Sequence, residues 1–254
     1  MNAVSRELLA RNPVRAVAAA PRPRLLCVAP LLTRRCGGVS HATLALLKAL
    51  IRRGRLDVHV VTCELDDGEL PPGTRITQIR PPKRRRFAWR FGRALLVGDY
   101  ARALGDVALP ETDVVYTRWM EAGLGFSRLR PDVPVICHSG HVLAHREALE
   151  DSSLPRVWQA LDSRIAERLE RGCYARANWT HVVSTRLVRE ARAAHFQLNR
   201  HLFLTQPLCV DADRFGNVAD RDATRARIGA APDAFVIVTI ARMVRWKNLD
   251  WLVR

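Results

Sequence analysis

The stretch RLLCVAPLLTRRCGGVSHATLALLKALIRR, residues 24–53, decides the fold of this chain. It opens on a nearly continuous apolar run, Leu25 to Ala29, which is typical of a parallel strand covered on both faces. Further along, Leu44, Leu47 and Leu50 recur at helical spacing, so they predict an amphipathic helix with one stripe against the sheet. The stretch therefore predicts a buried strand, a loop and a long helix.

A pair of glycines, Gly37 and Gly38, lies where this loop meets the helix. The first backbone N–H groups of a helix have no partner within the helix, and the helix dipole favours an anion there. Because glycine has no Cβ, a ligand can also come close to the backbone. Two interpretations stay open from these residues: an anion-binding loop, or a tight loop that needs glycine for its geometry.

Strands and helices alternate along the whole of residues 24–205. Short apolar or β-branched runs predict six more strands, which are Asp57–Cys63, Arg75–Arg80, Asp113–Tyr116, Pro134–Cys137, Thr180–Val183 and Phe203–Leu208. A long helix is predicted from Pro155 to about Ala175. The alternation predicts the α/β class, as a Rossmann-like, right-handed parallel sheet with helices on both faces.

The chain changes character on either side of this domain. Residues 1–23 contain only a short, Arg-interrupted apolar stretch and predict a disordered leader. After residue 205, a turn-rich connector from Pro207 to Phe215 precedes the β-branched run Phe235–Ile240 and the start of a helix. Residues 206–254 are therefore predicted to be a connector and the first β-α unit of an incomplete second Rossmann-like domain.

The composition is that of a folded protein with a strong positive charge. Apolar residues make up 48% of the chain, and the formal net charge is +16. The basic residues are dispersed and no nucleic-acid motif is present, so we expect no nucleic-acid partner. Six cysteines without a C-x-x-C pair predict reduced thiols, and no apolar run has the length of a membrane span. These features favour a cytoplasmic protein.

The most basic segment, Lys83 to Val97, carries aromatic residues among its arginines. In an interfacial helix the apolar side lies in the acyl boundary while the cations bind lipid phosphates. The segment therefore predicts a peripheral contact with an anionic membrane surface, through Arg86, Phe87, Arg90, Phe91 and Arg93. The alternative is an ordinary helix that packs on the sheet and leaves its arginines in solvent.

Two residues follow predicted strands at the edge where open parallel sheets bind ligands. Arg118 comes just after the fourth predicted strand, and His138 ends the fifth. Arg118 is either a ligand for a substrate anion or a surface arginine. His138 either hydrogen-bonds a substrate hydroxyl or is structural. His141 and His145 lie nearby, but the H-E-x-x-H pattern is absent, so we expect no metal.

Five short motifs together resemble those of family-4 glycosyltransferases, the large retaining class with the GT-B fold. They are the Gly37-Gly38 loop before SHATLALLKAL, VPVICH ending at His138, ANWTHVVS ending at Ser184, PLCVDADRF from Pro207 to Phe215, and Ala241-Arg242 with Lys247-Asn248. The resemblance covers about residues 24–254. It implies a GT-B N-terminal acceptor domain, residues 24–205, and a donor domain that is truncated early.

The resemblance also implies how a nucleotide-sugar donor would be bound. In similar enzymes Arg242 and Lys247 would hold the donor diphosphate, because a guanidinium and an ammonium stabilise the charge that develops on the leaving group. Gly37 and Gly38 would let the first domain's backbone touch the donor phosphate or sugar. The nucleotide-sugar is then a substrate, and the resemblance implies neither a metal nor another cofactor.

The acceptor side of the implied site rests on two residues. His138 is the implied catalytic-site residue and would bind a sugar hydroxyl, while Arg118 would face a glycan or lipid-linked acceptor of cell-envelope polysaccharide synthesis. The implied enzyme is a retaining, hexosyltransferase-like glycosyltransferase. We expect little transfer from this chain alone, because the family's E-x(7)-E donor motif would lie beyond residue 254.

A non-catalytic interpretation stays open beside the enzyme. A truncated relative of a glycosyltransferase could dock on a membrane surface or on another subunit without transferring sugar. Residues 1–254 are compatible with both hypotheses.

Overall fold

The computed structural model describes residues 21–33, 38–80, 92–139, 156–195, 203–208, 220–239, 249 and 251. Its strands are β1 Arg24–Val28, β2 Leu31–Leu32, β3 Asp57–Thr62, β4 Glu64–Leu65, β5 Arg75–Gln78, β6 Val114–Thr117, β7 Val135–Ser139, β8 Trp179–Val182 and β9 Phe203–Thr205. Its helices are α1 Gly38–Arg53, α2 Gly92–Gly105, α3 Met120–Leu129, α4 Arg156–Arg176, α5 Thr185–Ala194 and α6 Arg221–Arg227.

Seven of the described strands form one sheet in the order β5-β3-β1-β6-β7-β8-β9, and every neighbouring pair among them is parallel. The two short strands β2 and β4 pair with each other outside this sheet. The strand order reverses between β1 and β6, which is the doubly wound arrangement of a Rossmann-like domain. The predicted α/β class and parallel sheet are confirmed, and the reversal marks where such sheets bind ligands.

Strand β1 packs against the helices on both faces of the sheet. Leu25 belongs to the same buried cluster as Leu47 of α1. The next residue, Leu26, belongs to the opposite cluster, with Leu104 of α2 and Phe126 of α3. Because successive side chains of a strand point to opposite faces, one apolar run serves both layers. The prediction of a strand buried on both sides is confirmed.

Helix α3 is a feature that the sequence did not predict, since Gly123 and Gly125 lower the helix propensity of its segment. The packing explains the glycines. A Cβ at Gly125 would lie 2.9 Å from the backbone nitrogen of Ala101 and 3.0 Å from the carbonyl oxygen of Val97, both in α2. A Cβ at Gly123 would lie 2.7 Å from Cγ2 of Thr117. The glycines therefore let α3 pack closely on α2 and β6.

The described part of the run Phe235–Ile240 does not form the predicted strand. Residues 234–239 have no regular secondary structure, and the Phe235 side chain is 91% exposed. A β-branched run becomes a strand only when neighbouring backbone groups pair with it, and no described strand does so here. The second-domain assignment for residues 206–254 stays a prediction, and the leader prediction for residues 1–23 falls largely outside the described residues.

We predict that Gly125→Ala lowers the free energy of unfolding by about 1–3 kcal/mol, because the added methyl meets backbone atoms of α2 that cannot rotate away. Urea denaturation followed by circular dichroism measures this. The control is Gly98→Ala, in α2, where nothing lies within 4 Å of the new Cβ. It should be neutral or stabilise by about 0.5–1 kcal/mol. Equal effects at both positions would contradict the close packing of α3 on α2.

Candidate functional site

Four polar side chains meet at the carboxyl ends of β6, β7 and β8, beside the reversal of strand order. The parallel register pairs Tyr116 with Ile136, and His138 with His181. Residues that are paired in this way, or that lie two apart on one strand, share a face of the sheet. Tyr116, His138 and His181 therefore lie on one face, and Arg118 follows two residues after Tyr116.

Arg118 and His138 contact each other directly. Nη2 of Arg118 lies 3.4 Å from Nε2 of His138, and the two residues are 9% and 5% exposed. A guanidinium has only N–H donors, so it donates and the imidazole nitrogen accepts. The proton of a neutral His138 is then on Nδ1. The structure thus brings together the two residues that the sequence singled out separately.

Both ring nitrogens of His181 make hydrogen bonds. Its Nδ1 lies 2.9 Å from the Tyr116 hydroxyl, and its Nε2 lies 2.9 Å from the backbone oxygen of Gln206. A carbonyl oxygen only accepts, so Nε2 carries the proton and the Tyr116 hydroxyl donates to Nδ1. The ring stands at 80° to that of His138, with 4.8 Å between centroids.

Burial favours the neutral form of His181. It lowers the pKa of His181 below the ordinary value, the hydrogen bond to Gln206 acts in the opposite direction, and the charge of Arg118 lowers the pKa further. A neutral ring keeps a bare Nδ1 that can accept from Tyr116. The pKa direction and the hydrogen bonds therefore agree on one tautomer.

The Arg118 guanidinium also acts on Cys27, in the central strand β1. Burial raises the pKa of the Cys27 thiol to about 12, and the charge of Arg118 opposes this rise. Arg118 is thus close enough to β1 and to β7 to influence side chains on both. It places a positive charge at the edge of the sheet where the strand order reverses, which is where open α/β sheets bind ligands.

A second buried network lies behind His138. Nε2 of His195, after α5, is 2.9 Å from Oε2 of Glu170 in α4, and both side chains are fully buried. The Tyr174 hydroxyl is 3.2 Å from Oε1 of Glu170 and 3.4 Å from Oγ of Ser139, the residue that follows His138. Burial raises the pKa of Tyr174, so its hydroxyl stays protonated. The network attaches the end of β7 to two helices.

The structure describes only some of the other candidate residues that the sequence predicted. Gly38 is the exposed first residue of α1, and nothing lies within 4 Å of the position of a Cβ there. The remaining candidates lie outside the described residues or have undescribed side chains; they are Gly37, Arg242, Lys247, His141, His145, Arg86, Phe87, Arg90, Phe91 and Arg93. Their roles stay predictions.

No group of three or more His, Cys, Asp or Glu side chains in the described part of the chain is arranged to hold a metal ion. Within those same residues, no helix combines the length and the apolar character needed to cross a bilayer.

Four residues of these two networks were not predicted from the sequence: Tyr116, His181, Glu170 and His195. Tyr116 and His181 looked like ordinary residues of predicted strands, and their shared face depends on the register between strands. Polar residues near the ends of three successive predicted strands could have indicated this site, because parallel pairing brings the ends of such strands to one edge of the sheet. Glu170 and His195 lie on different elements, and no local pattern links them.

Comparisons with known proteins identify a family and a fold. The family model described as Glycosyltransferase Family 4 matches residues 36–214. The chain is similar to sucrose-phosphate synthase from Thermosynechococcus elongatus, with a TM-score of 0.59 and 14% identity over 83% of this chain and 53% of that chain. It is also similar to a glycosyltransferase from Rickettsia africae ESF-5, with a TM-score of 0.51 and 15% identity over 92% of this chain and 56% of that chain.

The chain thus spans about half the length of these two structures. At such low identities the similarity supports the fold and not a particular substrate. A search of curated proteins found no match.

We predict that Glu170→Ala lowers the free energy of unfolding by about 1–3 kcal/mol, because it leaves the buried Nε2 of His195 without its carboxylate partner. Chemical denaturation measures the loss. The matched control is Glu167→Ala on the same helix, whose ion pair with Arg171 is exposed and should contribute about 0.3–0.5 kcal/mol. A loss below about 1 kcal/mol for Glu170→Ala would contradict a buried pair of this kind.

Proposed function

The chain belongs to Glycosyltransferase Family 4, and from that premise we propose that it forms the acceptor-side domain of a retaining glycosyltransferase. The reaction moves a sugar from a nucleotide-sugar donor to a glycan or lipid-linked acceptor. The observation that carries the proposal is the Arg118–His138 contact at the carboxyl edge of the sheet. This contact combines a cation and a neutral hydrogen-bonding ring beside the reversal of strand order.

His138 is suited to binding a hydroxyl of the transferred sugar. Its Nε2 accepts from Arg118 across 3.4 Å, which is long for an N–H···N hydrogen bond, so a sugar hydroxyl can compete for the same lone pair. Because the residue is buried, such a bond would form with little competition from water. A site that hydrogen-bonds a hydroxyl discriminates strongly against sugars that lack it.

Arg118 is suited to an anionic group on the acceptor. Its guanidinium can donate two parallel hydrogen bonds to a phosphate or carboxylate, which a lysine cannot do. An acceptor phosphate, as in a lipid-linked sugar, or an acidic glycan would offset the positive charge at the edge of the sheet. We therefore assign Arg118 to the acceptor and His138 to the sugar.

The donor diphosphate is assigned to the other side of the same edge. Helix α1 begins at Gly38, and the unpaired N–H groups of its first turn can face a phosphate. In this proposal Gly37 and Gly38 let the phosphate approach the backbone, and Arg242 and Lys247 neutralise the leaving group. If the leaving phosphate itself accepts the acceptor's proton, a retaining transfer needs no carboxylate base and no metal.

Peripheral membrane binding is the second part of the proposal, because a lipid-linked acceptor would be held at a membrane. The net charge of +16 and the basic segment before α2 support it. Val97 and Leu104 of α2 are buried in the core, so the membrane contact must involve residues nearer the start of that segment, Arg86 to Arg93. The protein would then act at the cytoplasmic face.

We predict that His138→Ala weakens nucleotide-sugar binding by about 2–13-fold, the effect of one hydrogen bond of about 0.5–1.5 kcal/mol. Calorimetric titrations with UDP- and GDP-sugars measure this. The matched control is His59→Ala, a strand histidine on β3 that bonds Thr77 instead. If no nucleotide-sugar binds the unmodified chain, or if both variants bind equally, donor binding at His138 is contradicted.

For the membrane contact, we predict that exchanging Arg86, Arg90 and Arg93 for Glu abolishes flotation with vesicles that contain anionic lipid, and that zwitterionic vesicles bind neither protein. The control exchanges the exposed arginines Arg164, Arg168 and Arg189 for Glu, which changes the net charge equally. Equal loss in both variants would mean that net charge alone drives binding, and would reject the interfacial segment.

A further inference from the structure

His181 contacts three elements of the sheet at the candidate site. Its ring nitrogens bond the Tyr116 hydroxyl of β6 and the Gln206 carbonyl after β9, and its ring meets His138 of β7. Both bonds are 2.9 Å long, and each uses a different nitrogen. The ring of His181 is therefore fixed in orientation and in tautomer.

The fixed ring of His181 restricts rotation of the His138 ring. The two rings meet at 80° and 4.8 Å, a T-shaped contact, while Nε2 of His138 contacts Arg118. If the His138 ring turned over about its Cβ–Cγ bond, Nε2 would exchange places with Cε1 and Nδ1 with Cδ2, so the acceptor would leave the guanidinium. A neighbour that cannot rotate opposes that exchange. His181 thus helps to keep the accepting nitrogen of His138 beside Arg118.

The contact with Gln206 extends this effect to the end of the sheet. The Gln206 backbone nitrogen donates to the Val182 oxygen across 2.9 Å, and its oxygen accepts from His181 across 2.9 Å. Gln206 directly follows β9 and precedes the connector motif that begins at Pro207. The position of the chain after β9 is therefore linked through His181 to the ring of His138.

We propose that His181 is a positioning residue for His138, and that Tyr116 and the Gln206 carbonyl hold it in that role. The inference rests on the proposed function of His138 as the sugar-binding residue. His181 does not touch the substrate in this scheme. It fixes the orientation and tautomer of the ring that does, so its loss changes His138 even when no ligand is present.

The test follows the histidine rings by NMR in the full chain. Ring nitrogens are labelled with ¹⁵N, and long-range ¹H–¹⁵N spectra report the tautomer and titration midpoint of each ring. His138→Gln assigns the His138 signals. In the unmodified chain we expect His138 with its proton on Nδ1 and His181 with its proton on Nε2.

Two variants remove hydrogen bonds of the His181 ring in different ways. His181→Phe keeps an aromatic ring but removes both nitrogen bonds, and we expect His138 to lose its single-tautomer signature and to shift its titration midpoint. Tyr116→Phe removes one hydroxyl and keeps both histidines. We expect the titration midpoint of His181 to rise, because the neutral ring loses its donor, and the His138 spectrum to change in the same sense as in His181→Phe.

The matched control is His59→Phe, which also removes a bond from a strand histidine to a hydroxyl, here the 2.8 Å contact with Thr77. It should leave the His138 spectrum unchanged. The proposal is overturned if His138 keeps its tautomer and midpoint in folded His181→Phe and Tyr116→Phe chains, or if His59→Phe alters His138 equally. Should His181→Phe not fold, Tyr116→Phe alone decides.

Nucleotide-sugar titrations of the same samples separate this inference from the proposed function. A changed His138 spectrum in the two variants supports positioning by His181, whether or not a nucleotide-sugar binds. If the unmodified chain then binds no nucleotide-sugar, the sugar-binding role of His138 fails while the positioning of its ring stands. An unchanged His138 spectrum with intact donor binding rejects the positioning alone.

Discussion

The pairing of β1 with β3 on one side and β6 on the other is the constraint on which the rest of the structure depends. After β5 the chain is at one edge of the sheet, and α2 carries it back across to place β6 beside β1. This return reverses the strand order and sets Arg118 next to the end of β1. The later strands then extend the sheet in one direction, so that His138 and His181 follow Arg118 along a single edge.

Electrostatics at this edge favour a neutral His181 ring beside one cation. Burial disfavours protonation of His181 against the effect of the hydrogen bond to Gln206, and the guanidinium of Arg118 acts in the same direction as burial. A neutral imidazole offers one donor and one acceptor, and the surrounding groups decide which nitrogen is which. Arg118 makes Nε2 of His138 an acceptor, while the Gln206 carbonyl makes Nε2 of His181 a donor. The two histidines are thus chemically different although they share a face.

Much of the fold follows from local patterns, and most of the site does not. The apolar run of β1 and the leucine stripe of α1 are periodic, so sequence alone predicts them, and Arg118 and His138 follow from the ends of strands. Helix α3 could not be predicted, because its glycines are favourable only when α2 lies against them. The contacts of His181 with Tyr116 and of Glu170 with His195 depend on register and on helix placement, which no local pattern contains.

The residues that surround His138 come from a shorter part of the chain than the residues that the proposed reaction requires. Arg118, Tyr116, His181 and the Gln206 carbonyl all belong to the sheet or to the residue directly after it. The implied diphosphate ligands Arg242 and Lys247 lie further along the chain. In the proposed function, the geometry of His138 and the binding of the donor diphosphate therefore depend on different parts of the chain. The contact between His181 and Gln206 joins them, because whatever shifts the chain after β9 also acts on the ring that holds His138.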